Sequence, residues 1–237
     1  VIASDLHPVT PGNVMVKYTD DTYLIVPAAN VQSSTAEISN VENWAIINNL
    51  ALNRAKSAEI VFALPRSRRA VATSPPSLPG FSRVEVIKIL GVTITRKFSF
   101  KEHIDAVLAG CAQTLFALRT LRNHGLSTDA LHAVFQATVV GKLTYASQAW
   151  WGFTNAADRN RVEAFLRRAA RLGYRDSSAP TMASICAKAD DKLFRLVRTN
   201  PRHVLHSLLP PRKPEHYRLR ERSHSLHLPT RSTSLRD

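Results

Sequence analysis

Of the 237 residues only two are cysteine, Cys111 and Cys186. They give neither a disulfide framework nor the paired spacing of a zinc site, so no disulfide partner is expected and a reducing compartment suits the chain. No stretch approaches the roughly 18 consecutive apolar residues of a membrane-spanning helix. The opening residues lack the charged-then-apolar pattern of a signal segment, and no membrane partner is expected. Internal repeats are absent, which excludes a solenoid. Acidic residues are scarce as well: 18 Asp and Glu face 32 Lys and Arg, a formal net charge of +14. An excess of that size points to a polyanionic partner, nucleic acid first. The chain opens on Val1 without a methionine, as expected of a piece of a longer polypeptide.

What is present is enough for a core, at 44% hydrophobic, in one large domain or two small ones. The charge is segregated. Residues 1–60 hold three basic and six acidic groups, a net of −3, and the remainder carries +17. Carboxylates that hold cations and a separate positive surface for phosphates would need such a division.

Along the chain, residues 14–18 and 22–26 read as two short strands with Thr19, Asp20 and Asp21 at the turn. Ser34, Thr35, Ala36 and Glu37 form a capping-box pattern ahead of a helix containing Ile38, Val41, Ala45 and Leu52. A strand is expected at 57–62 and a Pro- and Arg-rich exposed loop at 65–83. Residues 84–95 predict a hairpin with Gly91 as a kink or bulge. From Ser99 the pattern turns helical. Ile104, Val107, Leu108, Cys111, Leu115 and Leu118 share one face, and Asn123, His124 and Gly125 supply a stop. A second helix starts at residues 127–129 with Leu131, Val134, Phe135 and Thr138 inward. A third, 158–173, turns Val162, Phe165, Leu166, Ala169 and Leu172 inward and carries Arg159, Arg161, Arg167, Arg168 and Arg171 on its other faces. Beyond Lys188 the composition shifts to Arg, His, Pro and Ser. Residues 195–237, with ten basic and three acidic groups, are expected to be partly disordered.

Two like charges in the middle of an apolar β-prone run ask for a reason. Adjacent carboxylates repel each other, and a divalent cation relieves that repulsion; Mg²⁺ takes one or two carboxylates plus water and substrate phosphates. In two-metal phosphoryl transfer such ions activate the attacking hydroxyl and stabilise the leaving group. The bland alternative is an acidic turn, since turns favour Asp. Asp190-Asp191, which lacks flanking strands, reads as a solvated surface. His203 and His206 lack a third ligand at metal-binding spacing. Trp150 and Trp151 suit burial better than stacking on bases.

"YTDDTYLIV" resembles the Tyr/Phe-x-Asp-Asp motif of reverse transcriptases, and its neighbours follow in the same order. "LNRAKSAEIVF" (52–62) is similar to the family's next segment, with Asn53 and Lys56 at its Asn-x-x-Lys positions. "ILGVTITRKFSFKEHI" (89–104) resembles the Leu-Gly-Val hairpin that grips the primer. "YASQAWWG" (145–152) and the Arg-rich helix after it resemble the thumb region of non-LTR (LINE-type) retrotransposon polymerases. The resemblance covers about residues 1–175.

It implies an α+β fold: a partial polymerase palm at 1–98, of antiparallel hairpins plus a helix, an all-α thumb-like region at 99–187 and a basic tail at 188–237. It implies a fragment of an RNA-directed DNA polymerase with Mg²⁺ (or Mn²⁺) as cofactor, and with Asp20 as the firmer and Asp21 as the weaker metal ligand. Lys56 would stand near the triphosphate; Tyr18, Leu90, Gly91 and Val92 would lie near the primer; Arg161, Arg167, Arg168 and Arg171 would contact phosphates. The partners implied are an RNA template and a DNA primer, with a dNTP in the complete enzyme, in a ribonucleoprotein of cytoplasm and nucleus. The family's first catalytic aspartate, its Gln-Gly segment, its Cys/His knuckle and an endonuclease domain have no counterpart here. Thr19 stands where the family usually has alanine. The chain alone is therefore expected to be inactive as a polymerase. The alternative is a non-catalytic remnant that binds RNA or DNA through its basic helices and tail, affected by salt and indifferent to Mg²⁺. A helical protein-interaction domain would explain neither the charge nor the hairpin.

Overall fold

The computed structural model describes residues 3–62, 74–211 and 226–227 and divides the chain into two compact units, Val1–Phe98 and Ser99–Asp237. The architecture is α+β: the first unit has three short strand pairs and one helix, and the second is helical.

In the first unit β1 (Val14–Tyr18) and β2 (Asp21–Ile25) form an antiparallel hairpin, in the register Val14 opposite Ile25 through Tyr18 opposite Asp21. Residues directly opposite share a face, so Val14, Val16 and Tyr18 lie beside Ile25, Tyr23 and Asp21. α1 (Ser34–Ile47) follows. Its expected capping box does not form. Glu37 is fully buried and turns to the preceding segment, where its carboxylate accepts the Val9 N–H at 3.1 Å, the Thr10 N–H at 2.8 Å and the Asn13 Nδ2 at 2.8 Å. Three donors of one loop outcompete the single N-cap amide that a capping box would satisfy. The same segment is held by the Lys17 ammonium, which donates to the carbonyls of Ala3 and Leu6, and by Trp44 Nε1 donating to Asp5 at 3.0 Å.

The strand expected over 57–62 pairs only at β3 (Ala58–Glu59), in parallel with β4 (Ser82–Arg83). Arg83 grips Glu59 with two nitrogens, each at 2.9 Å, and also donates to the carbonyls of Pro75 and Pro76. That planar fork, rather than backbone pairing, anchors residues 74–83. Residues 63–73 of the expected loop lie outside the described residues. β5 (Val86–Ile89) and β6 (Val92–Thr95) close the predicted hairpin, but Gly91 is no bulge. Leu90 and Gly91 are the two turn residues, at φ 46° and 86°, the pair of positive values a mirror-image two-residue turn demands.

In the second unit α2 (Lys101–Asn123) buries His103, Ile104, Cys111, Leu115 and Leu118, and ends at Gly125 with φ 88° and the backbone bonds of a left-handed cap. With a mean hydropathy of 1.3 over an 18-residue window, α2 is long and apolar enough to cross a membrane, which corrects the expectation that no segment approaches one. Its buried stripe packs on α3 (Thr128–Phe135) and α6 (Ala156–Arg171). One such helix is weak evidence of a span, because core helices share this composition.

After α3 a π turn, Gln136–Val140, continues into α4 (Gly141–Thr144), with α5 (Ser147–Trp150) beyond a left-handed Ala146. The extra residue of a π turn rotates the face that follows. Val139 and Val140 are therefore buried, and Thr138, expected inward, is exposed with its hydroxyl returned to the Val134 carbonyl. Trp150 and Trp151 are core, their rings edge to face at 5.8 Å. Asn155 caps α6, and Thr181 caps α7 (Met182–Thr199). α7 runs straight through residue 188, where composition placed the start of a tail. Residues 212–225 and 228–237 of that tail lie outside the described residues.

Burial pushes the Glu37 carboxyl up, but the hydrogen bonds from Asn13, Thr10 and Val9 outweigh it and hold it below the usual glutamate range. A depressed carboxyl stabilises the fold above its unfolded pKa, and that stability drains away as pH falls through the folded value. Glu37→Gln is expected to lower the stability of the first unit by about 1.5–3 kcal/mol at neutral pH. It should also flatten the loss on acidification below about pH 4.3. Urea unfolding from pH 3 to 7 checks both.

Candidate metal and nucleic-acid site

The turn between β1 and β2 is two residues long, Thr19 and Asp20, and Thr19 sits at φ 53°. A β-branched residue in the left-handed region is strained, at a cost of about 1–2 kcal/mol. Asp20 occupies the second turn position and Asp21 starts β2; both side chains are exposed. Tyr18, 59% exposed, is directly opposite Asp21 on the same face. Two strands thus present two adjacent carboxylates and an aromatic ring to solvent at one turn.

Tyr23 links this corner to the second hairpin. Its hydroxyl donates to Asp21 at 3.4 Å, a long bond. Burial and then the Asp21 charge raise the Tyr23 hydroxyl above the ordinary tyrosine value, and a hydrogen bond from the Leu90 backbone opposes them. The Tyr23 hydroxyl therefore reaches the backbone of the Leu90-Gly91 turn. Period-two spacing puts Tyr23 on the Asp21 face, and that was the signal in the sequence for this unpredicted residue.

Lys56 is exposed, and its backbone N–H donates to Asn53, at 3.1 Å to the side chain and 3.2 Å to the carbonyl. Here the Asn-x-x-Lys spacing is that of a side-chain-closed turn. The structure gives Lys56 no contact with Asp20 or Asp21.

Two adjacent exposed carboxylates are donors of the kind that one divalent cation takes. Mg²⁺ accepts one or two carboxylates and fills its octahedron with water and phosphate oxygens. They do not fit two ions unaided: among the described residues no three His, Cys, Asp or Glu side chains stand close enough together to hold a metal. Burial pushes both Cys111 and Cys186 thiols up to about 11, so neither is a thiolate ligand at neutral pH.

The α6 arginines divide. Arg161 is engaged, with Nη2 at 2.5 Å from Asp105 of α2 and Nη1 at 3.0 Å from Asp158. It ties two helices together. Arg159 holds the carbonyls of Trp151 and Gly152 and the Thr154 hydroxyl. Arg168 lies over the Phe165 ring at 5.7 Å, while Arg167 and Arg171 are exposed. Arg122 of α2 donates to the Leu172 carbonyl at 2.7 Å and covers the Tyr174 ring at 4.6 Å, with Arg119 one turn earlier. The C-terminal ends of α2 and α6 therefore share five arginines, and neither 106–128 nor 164–175 contains an acid. Arg119 and Arg122 were unpredicted because their nearness to α6 is purely tertiary.

Comparison of the chain with protein-family models, with curated proteins and with solved structures finds no match in any of the three.

Thr19→Gly is expected to slow amide exchange in β1 and β2. It removes the strain of the left-handed turn at the smaller entropic cost of a glycine, for a gain of up to about 1 kcal/mol. Unchanged or faster exchange would mean that the turn carries no strain.

Proposed function

We propose that this chain is the C-terminal palm and thumb portion of an RNA-directed DNA polymerase of the non-LTR retrotransposon type. The observation that carries the reading is the corner at Asp20 and Asp21: two exposed carboxylates on a two-residue turn, joined through Tyr23 to the Leu90-Gly91 turn. In this reading Asp20 and Asp21 hold one cation, Mg²⁺ or Mn²⁺. When bound, it supplies charge neutralisation for phosphoryl transfer. Tyr18 and the Leu90, Gly91 and Val92 turn shape the place of a primer end, and Lys56 offers a cation to phosphate. RNA template and DNA primer are the partners, and an intracellular ribonucleoprotein is the setting. A further carboxylate has to come from outside the described residues.

The isolated chain is therefore expected to show no template-directed primer extension in Mg²⁺ or Mn²⁺. Magnesium-dependent product lost in Asp20→Ala would overturn that expectation and make these residues sufficient. Metal binding separates the proposal from a bare acidic turn. Mn²⁺ should broaden the amide signals of residues 18–23 in the native chain and not in Asp20→Ala with Asp21→Ala. Equal broadening in both would refute the assignment.

A second reading, nucleic-acid binding without catalysis, is favoured by the arginines at the C-terminal ends of α2 and α6. Binding of a 20-base-pair DNA duplex should weaken steeply with salt. Replacing Arg167, Arg168 and Arg171 with Ala should reduce the log–log slope by about 0.9 for each phosphate contact removed. Arg161→Ala should leave the slope unchanged and lower stability, since its charge is spent on Asp105 and Asp158. An equal slope change in Arg161→Ala would return it to the interface.

A further inference from the structure

A groove of about 540 Å³ opens on the second unit between the segment 136–148 and α7. α7 contributes Ile185, Ala189, Leu193 and Leu196, and the opposite wall contributes Val140 and Gly141. Two local costs converge on it. Residues 136–140 form a π turn, a rare and strained geometry frequent at functional sites. Gly141 has ordinary helical backbone, and a Cβ there would meet only the Gln136 carbonyl oxygen, at 3.9 Å. Glycine in a helix costs roughly 0.5–1 kcal/mol relative to alanine, and nothing within this fold requires it. Each is a cost for the chain alone, and each becomes useful if another backbone lies in the groove.

The occupant's chemistry follows from the lining. The apolar positions on α7 are spaced i, i+4, i+8 and i+11, a row about 16 Å long that matches three turns of a facing helix. Gly141 lets a helix approach closely. Lys188, Lys192 and Arg195 make a second row at i, i+4 and i+7 along one side, with no ion pair among the described residues. No carboxylate and no aromatic ring lines the groove, so it offers bases nothing to stack on. We propose that this groove docks an acidic amphipathic helix of a partner protein, its apolar stripe against α7 and its carboxylates along Lys188, Lys192 and Arg195. The inference is independent of the polymerase reading and lies apart from Arg167, Arg168 and Arg171 in sequence.

The test uses the full chain and a fluorescein-labelled 18-residue peptide of Leu, Ala and Glu, with leucines at i, i+4, i+7 and i+11. A scrambled peptide of identical composition measures general attraction to the +14 chain. The patterned peptide should bind at least roughly tenfold tighter than the scrambled one, a difference of about 1.4 kcal/mol. Gly141→Trp, which fills the groove, should abolish the difference, whereas Gly141→Ala should keep the helix and most of the binding. The triple change Lys188→Glu, Lys192→Glu and Arg195→Glu, all at exposed positions, should abolish it as well. Equal binding of the two peptides, or undiminished binding to Gly141→Trp, overturns the proposal. Self-association in sedimentation that Gly141→Trp removes would also overturn it, by assigning the groove to a second copy.

Discussion

Glu37 has no exposed surface, and its carboxylate is the common acceptor for the Val9 and Thr10 amides and the Asn13 side chain. The first unit needs such an anchor because its apolar burial is thin: Leu6 and Ala45 are its only fully buried apolar residues among those described. A two-stranded hairpin is marginal alone, and β1 leaves Val14 and Val16 half exposed. A buried charge with a full set of donors substitutes for missing core. Asn13 is the residue before β1, so the anchor fixes the base of the hairpin whose far end carries Asp20 and Asp21. The hairpin that carries the two aspartates is thus tied down by a carboxylate at its other end.

The second unit has the opposite economy. Its core of Ile104, Leu118, Leu131, Phe135, Leu143, Trp150, Val162 and Leu166 is closely buried. Within it a π turn and Ala146 at φ 48° interrupt the helices. Such features persist only where the surrounding packing over-determines them. The π turn borders the groove against α7, and that is the reason to look for an occupant there.

The β1–β2 hairpin was legible because strand alternation and a polar turn are local signals, and α2 and α6 were legible because a 3.6-residue period survives over four turns or more. The failures share a cause. Glu37 matched a capping box, and a loop distant in sequence won its carboxylate. Thr138 fell on the expected inward face, and one extra residue in a π turn moved that face to Val139 and Val140. In α7, Met182, Cys186, Leu193 and Val197 carry the helical period, but the Arg-, His- and Pro-rich composition that follows it obscured where the helix ends. Arg161 looked like a free cation because Asp105, its partner, lies on another helix. Spacing finds exposed groups; only packing tells which of them are already engaged.

That distinction bears most on the two aspartates. Lys17, opposite Thr22, lies on the other face of the hairpin from Asp21, and its ammonium donates to the carbonyls of Ala3 and Leu6. Neither Asp20 nor Asp21 makes an ion pair among the described residues. The turn also sets a β-branched residue at φ 53°, where glycine or asparagine would relieve the strain. Uncompensated like charge and a strained backbone thus coincide within three residues, Thr19 to Asp21. An ordinary surface turn has no reason to accumulate both, because each can be removed by a single substitution that leaves the strands intact. A site that exchanges water for a cation and phosphate oxygens would need the first.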